Sequence, residues 1–238
     1  MIHKPSPSLL HRLHHDWRDN ILTGLTVLLL IHVFVVSPLE LRETLHVRPI
    51  AIMFTVVLAL GMFTLARGLV PLALVFLFVC LLALSLWFEH TGSNDGTTIA
   101  MRGVAWILIS LGIIWVVARA VYAPGDITYN RVIGAVLLYV TVGILFMAIY
   151  VVFAVLLPNS FLGISLKPRA SLPADLIYFS FVTLTTVGYG DIVPVDPLVR
   201  SLSNLEAVFG QLFPATILAR LVANQVSWHG KSKPKERS

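Results

Sequence analysis

The sequence predicts an all-α membrane protein of six transmembrane helices, with a short re-entrant helix and a glycine-bearing loop between the fifth and sixth. Three observations predict this class. Of 238 residues, 57% are hydrophobic and only 12% charged, whereas about a quarter of a soluble domain is charged. The apolar residues gather into runs long enough to cross about 30 Å of hydrocarbon, which takes roughly 20 helical residues. Between the last two runs lies an apolar segment too short to cross, followed directly by TVGYGD. In lipid every backbone polar group needs a partner within the protein, so such runs are read as helices.

The runs fall at Ile21–Leu39, Pro49–Ala66, Leu69–Phe88, Met101–Tyr122 and Val132–Leu157, with a less uniformly apolar sixth at Pro197–Val226. The first is read as a span and not a cleaved leader. Polar or mixed residues precede it and no small-residue cleavage site follows Pro38. An even number of spans puts both ends on one side. Placing them in the cytoplasm leaves eleven of the 17 Lys and Arg residues inside, as the positive-inside rule requires of a multi-pass cell-membrane protein. The net charge of +5 is spread over span borders and a basic tail, Lys231, Lys233, Lys235 and Arg237. Such a tail suits anionic headgroups and not nucleic acid. The single Cys80 can form no intrachain disulfide and is expected to be a small buried apolar residue.

The short segment is placed at Ala174–Thr185, with Pro173 suited to a first helical turn. A cation that sheds water at membrane depth must find oxygens of nearly equal free energy, and a ring of backbone carbonyls supplies them. Pointing successive carbonyls to one axis requires alternating backbone conformations, some with positive φ, which glycine adopts without steric penalty. Thr186-Val187-Gly188-Tyr189-Gly190 carries glycines at alternate positions. Thr186 can add its hydroxyl as a further ring of oxygens, while Val187 and Tyr189 would point away and pack on the short helix. Asp191 would stand at the outer mouth and raise the local cation concentration. The C-terminal end of the short helix carries partial negative charge that favours a cation below the loop.

The segment TLTTVGYGD, Thr183 to Asp191, is similar to the potassium-channel signature. With PNSF at Pro158–Phe161 and ARLV at Ala219–Val222, the stretch Asp126–Val226 resembles the potassium channel family with six spans per subunit, and more closely its small bacterial members. The first four spans match only in number and hydropathy. The resemblance implies a homotetrameric channel with potassium ions bound at Thr186, Val187, Gly188 and Tyr189, and a filter that ends at Gly190. The only expected ligand is the permeant ion, with no cofactor. One pore loop per chain, where potassium-uptake subunits carry four, argues for four identical subunits.

The domain organisation follows. Residues 1–20 form a cytoplasmic or interfacial N-terminus, 21–122 a four-helix domain resembling a voltage sensor without its arginine array, and 123–131 a linker. Residues 132–227 form the pore domain and 228–238 the basic tail. Many family members carry a carboxylate four residues before the filter threonine, but here that position is Val182. Filter support is expected instead from Tyr178, Phe179, Val182, Thr183 and Thr185. Glu206 lies within the last span, where a carboxylate is a functional candidate. It is either a cation-attracting group facing the cavity or an acceptor for Ser180 or Thr183 behind the filter. Gly210, twenty residues after Gly190, stands where these channels place a hinge glycine, and Pro214 removes a helix hydrogen bond one turn later. Together they predict a bend, although close packing would also explain Gly210.

A voltage sensor needs several arginines at every third position of its fourth span, yet Met101–Tyr122 holds only Arg102 and Arg119, one at each end. Weak or absent voltage dependence is expected. His11 and His15 share a helical face near the first span and suit either an interfacial amphipathic helix or a metal or pH site. His32 is expected to bond a neighbouring helix. No Ser/His pair, HExxH or paired aspartates on facing spans suggests an enzyme.

Overall fold

The computed structural model describes residues 23–36, 39, 56–57, 59–60, 68–90, 96–122, 129–164 and 172–231. Helix α1 (Thr23–Val36) ends in a π-helical turn, His32–Val36. Then follow α2 (Leu69–His90), α3 (Gly96–Val121) and α4 (Tyr129–Leu156). A two-residue strand β1 (Phe161–Leu162) precedes the short helix α5 (Leu172–Leu184), and β2 (Val193–Pro194) precedes the long α6 (Pro197–Lys231). Among the described residues three helices are long and apolar enough to cross a membrane: Leu69–Phe88, Gly96–Val121 and Arg131–Leu156. The predicted second span, Pro49–Ala66, falls almost wholly outside the described residues, as do His11, His15 and most of the basic tail.

Packing follows small residues and regular spacing. Ala105, Ile109, Ile113, Val117 and Val121 recur every fourth residue on α3 and are all buried, so they lie along one helical stripe. A β-carbon at Gly103 would come within 2.8 Å of the Val152 side chain and 3.2 Å of the Ala148 carbonyl oxygen. Glycine there lets α3 and α4 approach closely, the usual device where lipid supplies no hydrophobic drive between helices. Helix α4 sits at the centre, packed against α3 on one side and against α5 and α6 on the other.

Many large apolar side chains point outward, among them Phe76 and Trp87 on α2. Leu198, Leu205 and Leu212 are exposed at seven-residue spacing on α6 and so share one face. Water would not tolerate surfaces of this size, so lipid or neighbouring chains must cover them. Cys80 belongs to this outward surface and not to the core. An apolar run that faces lipid needs no burial inside the protein, which is why the expected burial of this thiol fails.

Helix boundaries differ modestly from the sequence expectation. The fourth run begins at Gly96 because Thr98 and Ile99 are buried helical residues. The short helix occupies Leu172–Leu184, and Thr185 already belongs to the turn that follows. Thirteen residues span about 20 Å at 1.5 Å per residue, short of the hydrocarbon thickness. The last helix runs through Pro214 to Lys231. Its N-terminus is capped by Asp196, whose Oδ1 accepts from the Leu198 N–H at 2.8 Å.

Gly210 marks where α6 crosses the end of α5. A β-carbon there would collide with the backbone carbonyl of Leu184. Gly210→Ala is therefore expected to lower stability by about 1–3 kcal/mol, the usual range for overpacking, seen as an earlier thermal unfolding transition in detergent. An unchanged transition would contradict the close approach.

Candidate functional site

The loop after α5 folds back onto the helix that precedes it. The last four carbonyls of any α-helix lack helical partners, and here each has one. Phe181 O accepts from Thr185 N at 3.0 Å and from the Thr185 hydroxyl at 2.6 Å. Val182 O accepts from both Val187 N and Gly188 N, at 2.9 and 3.3 Å. Thr183 O accepts from Thr186 N at 2.9 Å. The Tyr139 hydroxyl, reaching across from α4, donates to Leu184 O at 3.3 Å.

Along the loop, φ is positive at Thr186 (59°), Gly188 (58°) and Gly190 (79°). The left-handed residues thus alternate, and the alternation includes a threonine, for which this conformation is costly. Gln211, on α6 beside Gly210, donates from its Nε2 to the Thr186 hydroxyl at 2.8 Å.

The outer end of the loop is held twice. The Tyr178 hydroxyl donates to Asp191 Oδ2 at 2.8 Å, and the rings of Tyr178 and Tyr189 stack with centroids 6.4 Å apart and planes 1° from parallel. That hydrogen bond, aided by burial and the carboxylate charge, holds the Tyr178 phenol above its ordinary pKa. On the other side β1 and β2 pair antiparallel, Phe161 with Pro194 and Leu162 with Val193. At Gly163, with φ of 87°, a β-carbon would collide with the Asp191 carbonyl. A cleft of about 210 Å³ behind the loop is lined by residues that include Tyr178, Thr183, Asp191 and Ser203.

Glu206 is fully buried and joins three helices. Its Oε2 accepts from the Tyr150 hydroxyl of α4 at 2.6 Å, and its Oε1 lies 2.5 Å from the Ser180 hydroxyl of α5. Ser180 Oγ also lies 2.7 Å from the Gly143 carbonyl. The Ser180 hydroxyl thus bridges the Glu206 carboxyl of α6 and the Gly143 carbonyl of α4. Gly143 permits this arrangement, since a β-carbon there would come within 2.9 Å of the Phe181 ring. Around the carboxyl, Tyr150, Phe161 and Phe179 form an edge-to-face cluster with centroids 5.1–5.9 Å apart.

The structure therefore brings Thr186 to Asp191 together with Tyr178, Phe179, Val182, Thr183, Thr185 and Glu206, all near the end of α5. Val182 and Thr183 act through their backbone oxygens. Of the two hydroxyls expected to meet Glu206, Ser180 is the one that does. Pro214 lies lower on α6, outside this cluster. His32 lies elsewhere, stacked on Trp106 at 5.8 Å. Sequence reasoning missed Tyr139, Tyr150, Gly143, Gly163 and Gln211. The two tyrosines left a usable signal: a phenol inside an apolar span needs a partner for its hydroxyl.

Comparison with known proteins bears on this region. Residues 151–225 match the family model Ion_trans_2, described as "Ion channel". The match supports an ion channel. Two relatives, both called Protein LctB, share part of the chain. One, from Bacillus caldotenax, is 42% identical over 65 residues, 27% of this chain and 45% of that protein. The other, from Geobacillus stearothermophilus, is 43% identical over 54 residues, 23% of this chain and 40% of that protein. The chain thus spans less than half the length of either relative. No solved structure gives a significant match.

Replacing Glu206 tests the buried cluster. Glu206→Leu removes the short acceptor of the buried Tyr150 hydroxyl and one of the two contacts of Ser180, and is expected to cost about 1–3 kcal/mol, whereas Glu206→Gln, which keeps an amide oxygen in place, should cost clearly less. Thermal unfolding of the two variants in detergent checks the order. Equal melting points for Leu and Gln would show that the hydrogen bonds contribute nothing.

Proposed function

We propose that four copies of this chain surround one pore and conduct potassium passively across the cell membrane. The reading rests chiefly on one observation: positive φ at the alternate positions 186, 188 and 190 of TVGYG, immediately after a helix too short to cross. Such alternation turns successive carbonyls to one side. Four copies around an axis then present stacked rings of oxygens that replace the water of a dehydrated cation. Thr186, Val187, Gly188 and Tyr189 supply the rings and Gly190 closes the filter. Asp191 stands at the mouth. The outward stripe Leu198, Leu205 and Leu212 gives a neighbouring subunit apolar surface to cover. In this reading the termini are cytoplasmic and the basic tail meets anionic headgroups.

Purified protein in liposomes carrying a potassium gradient tests the proposal. Flux is expected to favour potassium strongly over sodium and to be blocked by barium. Gly188→Ala should abolish the preference, because a β-carbon at φ of 58° costs about 1–2 kcal/mol in each subunit and forces the loop to another conformation. Wild-type protein that passes sodium as readily as potassium would overturn the reading.

Voltage dependence is expected to be weak. Each charge moved across 100 mV supplies about 2.3 kcal/mol, and three or four are needed per subunit. Arg102 lies within the first two turns of α3 and Arg119 in its last turn, and the Arg119 guanidinium rests 4.4 Å from the centre of the Trp115 ring, a cation–π anchor suited to an interface. Single-channel records should show open probability changing little between −100 and +100 mV, which is on the order of the voltages at which gating charges act. Steep activation would contradict this.

A further inference from the structure

Gln211 stands apart from the residues that the signature motif would single out. It lies on α6, next to the glycine that presses against the end of α5, and its side-chain nitrogen sits 2.8 Å from the hydroxyl of Thr186. Both residues are exposed in the single chain. Thr186 is the innermost residue of the filter, and it holds a left-handed backbone that an L-residue rarely adopts.

We infer that Gln211 is a specificity-determining residue for the innermost cation site, fixing the Thr186 hydroxyl so that its remaining lone pair faces the ion. The inference rests on the proposed potassium reading. A threonine hydroxyl is a rotor, and as an ion ligand it serves only when its oxygen faces the site. An amide donor on one lone pair orients the other. The four amides around an axis would also form a polar collar where an ion, still partly hydrated, enters from below. Because the contact belongs to α6, the position of the inner helix sets the geometry of this site.

Barium is the suitable probe, since it approximates potassium in size, carries twice the charge, and depends more strongly on well-placed oxygens. The full-length chain is reconstituted in planar bilayers, and barium block from the termini side is measured beside the potassium-to-sodium permeability ratio. Gln211→Leu is expected to weaken the block about five- to tenfold, the size of one lost hydrogen bond, with an unchanged melting temperature. Gln211→Asn keeps an amide in the cavity but is one methylene too short to reach Thr186, and should weaken the block equally. In a Thr186→Ala background, adding Gln211→Leu should change nothing further. Block unchanged in both Gln211 variants would overturn the inference. So would a loss confined to Gln211→Leu, which would assign the effect to cavity polarity. If the leucine variant fails to assemble, the asparagine variant decides. Wild-type protein without potassium preference would instead defeat the proposed function, a result separable from these.

Discussion

The rest of this structure depends on how the C-terminal end of a short buried helix is satisfied. A helix that ends inside a protein must find partners for its last carbonyls. The chain solves this by folding the loop back, so that N–H groups of Thr186, Val187 and Gly188 bond the terminal carbonyls of α5. This both removes the orphan carbonyls and fixes the loop as a continuation of the helix. The remaining carbonyl, Leu184 O, is shared between the Tyr139 hydroxyl and the close approach of Gly210. Small residues therefore appear where backbone meets backbone, at Gly163 and Gly210, where larger ones would push the loop away, and at Gly143, where the Phe181 ring presses on α4.

A second layer holds α5 from behind. Ser180, Tyr150 and Glu206 come from three different helices, and the carboxyl has both its partners only when all three helices are in place. In a low-dielectric interior such networks are strong when complete and costly when broken. The consequence is a rigid unit of α4, α5 and α6. By contrast, α2 packs chiefly against α3 among the described helices, and it turns a face that includes Cys80 outward.

How much of this was legible follows from where each signal resides. Three of the spans and the short helix were readable because hydropathy and length are local properties. The glycines at 188 and 190 were readable because positive φ has a residue signature, whereas the same conformation at Thr186 was not: β-branched residues avoid it, and only the surrounding contacts impose it. Glu206 announced itself as a carboxylate in an apolar run. Its partner Tyr150 lies 56 residues away in sequence, and nothing local specifies which phenol will reach it. Likewise Gly163 owes its significance to the approach of the Asp191 backbone, and Gln211 to the Thr186 hydroxyl, neither of which composition encodes. Cys80 was misjudged because hydropathy alone cannot separate a lipid-facing residue from a buried one.

The placement of the acid has a mechanical implication. With Val182 at the position in α5 where a carboxylate would meet Asp191, the two duties are divided. Tyr178 holds Asp191 at the outer end, and Glu206 holds α5 from α6 at the inner end. The loop and α5 are thereby tied to α6 at Glu206 and, one turn later, at Gly210 and Gln211. Bending α6 at Gly210 would drag Leu184 and Thr186 with it. Pro214 lacks the N–H that would bond the Gly210 carbonyl, so the compliant point of α6 lies immediately below the anchored segment. Motion of the C-terminal part of α6 can occur there while the loop stays fixed, and any motion that passes beyond it toward Gly210 must act on Leu184 and Thr186 first.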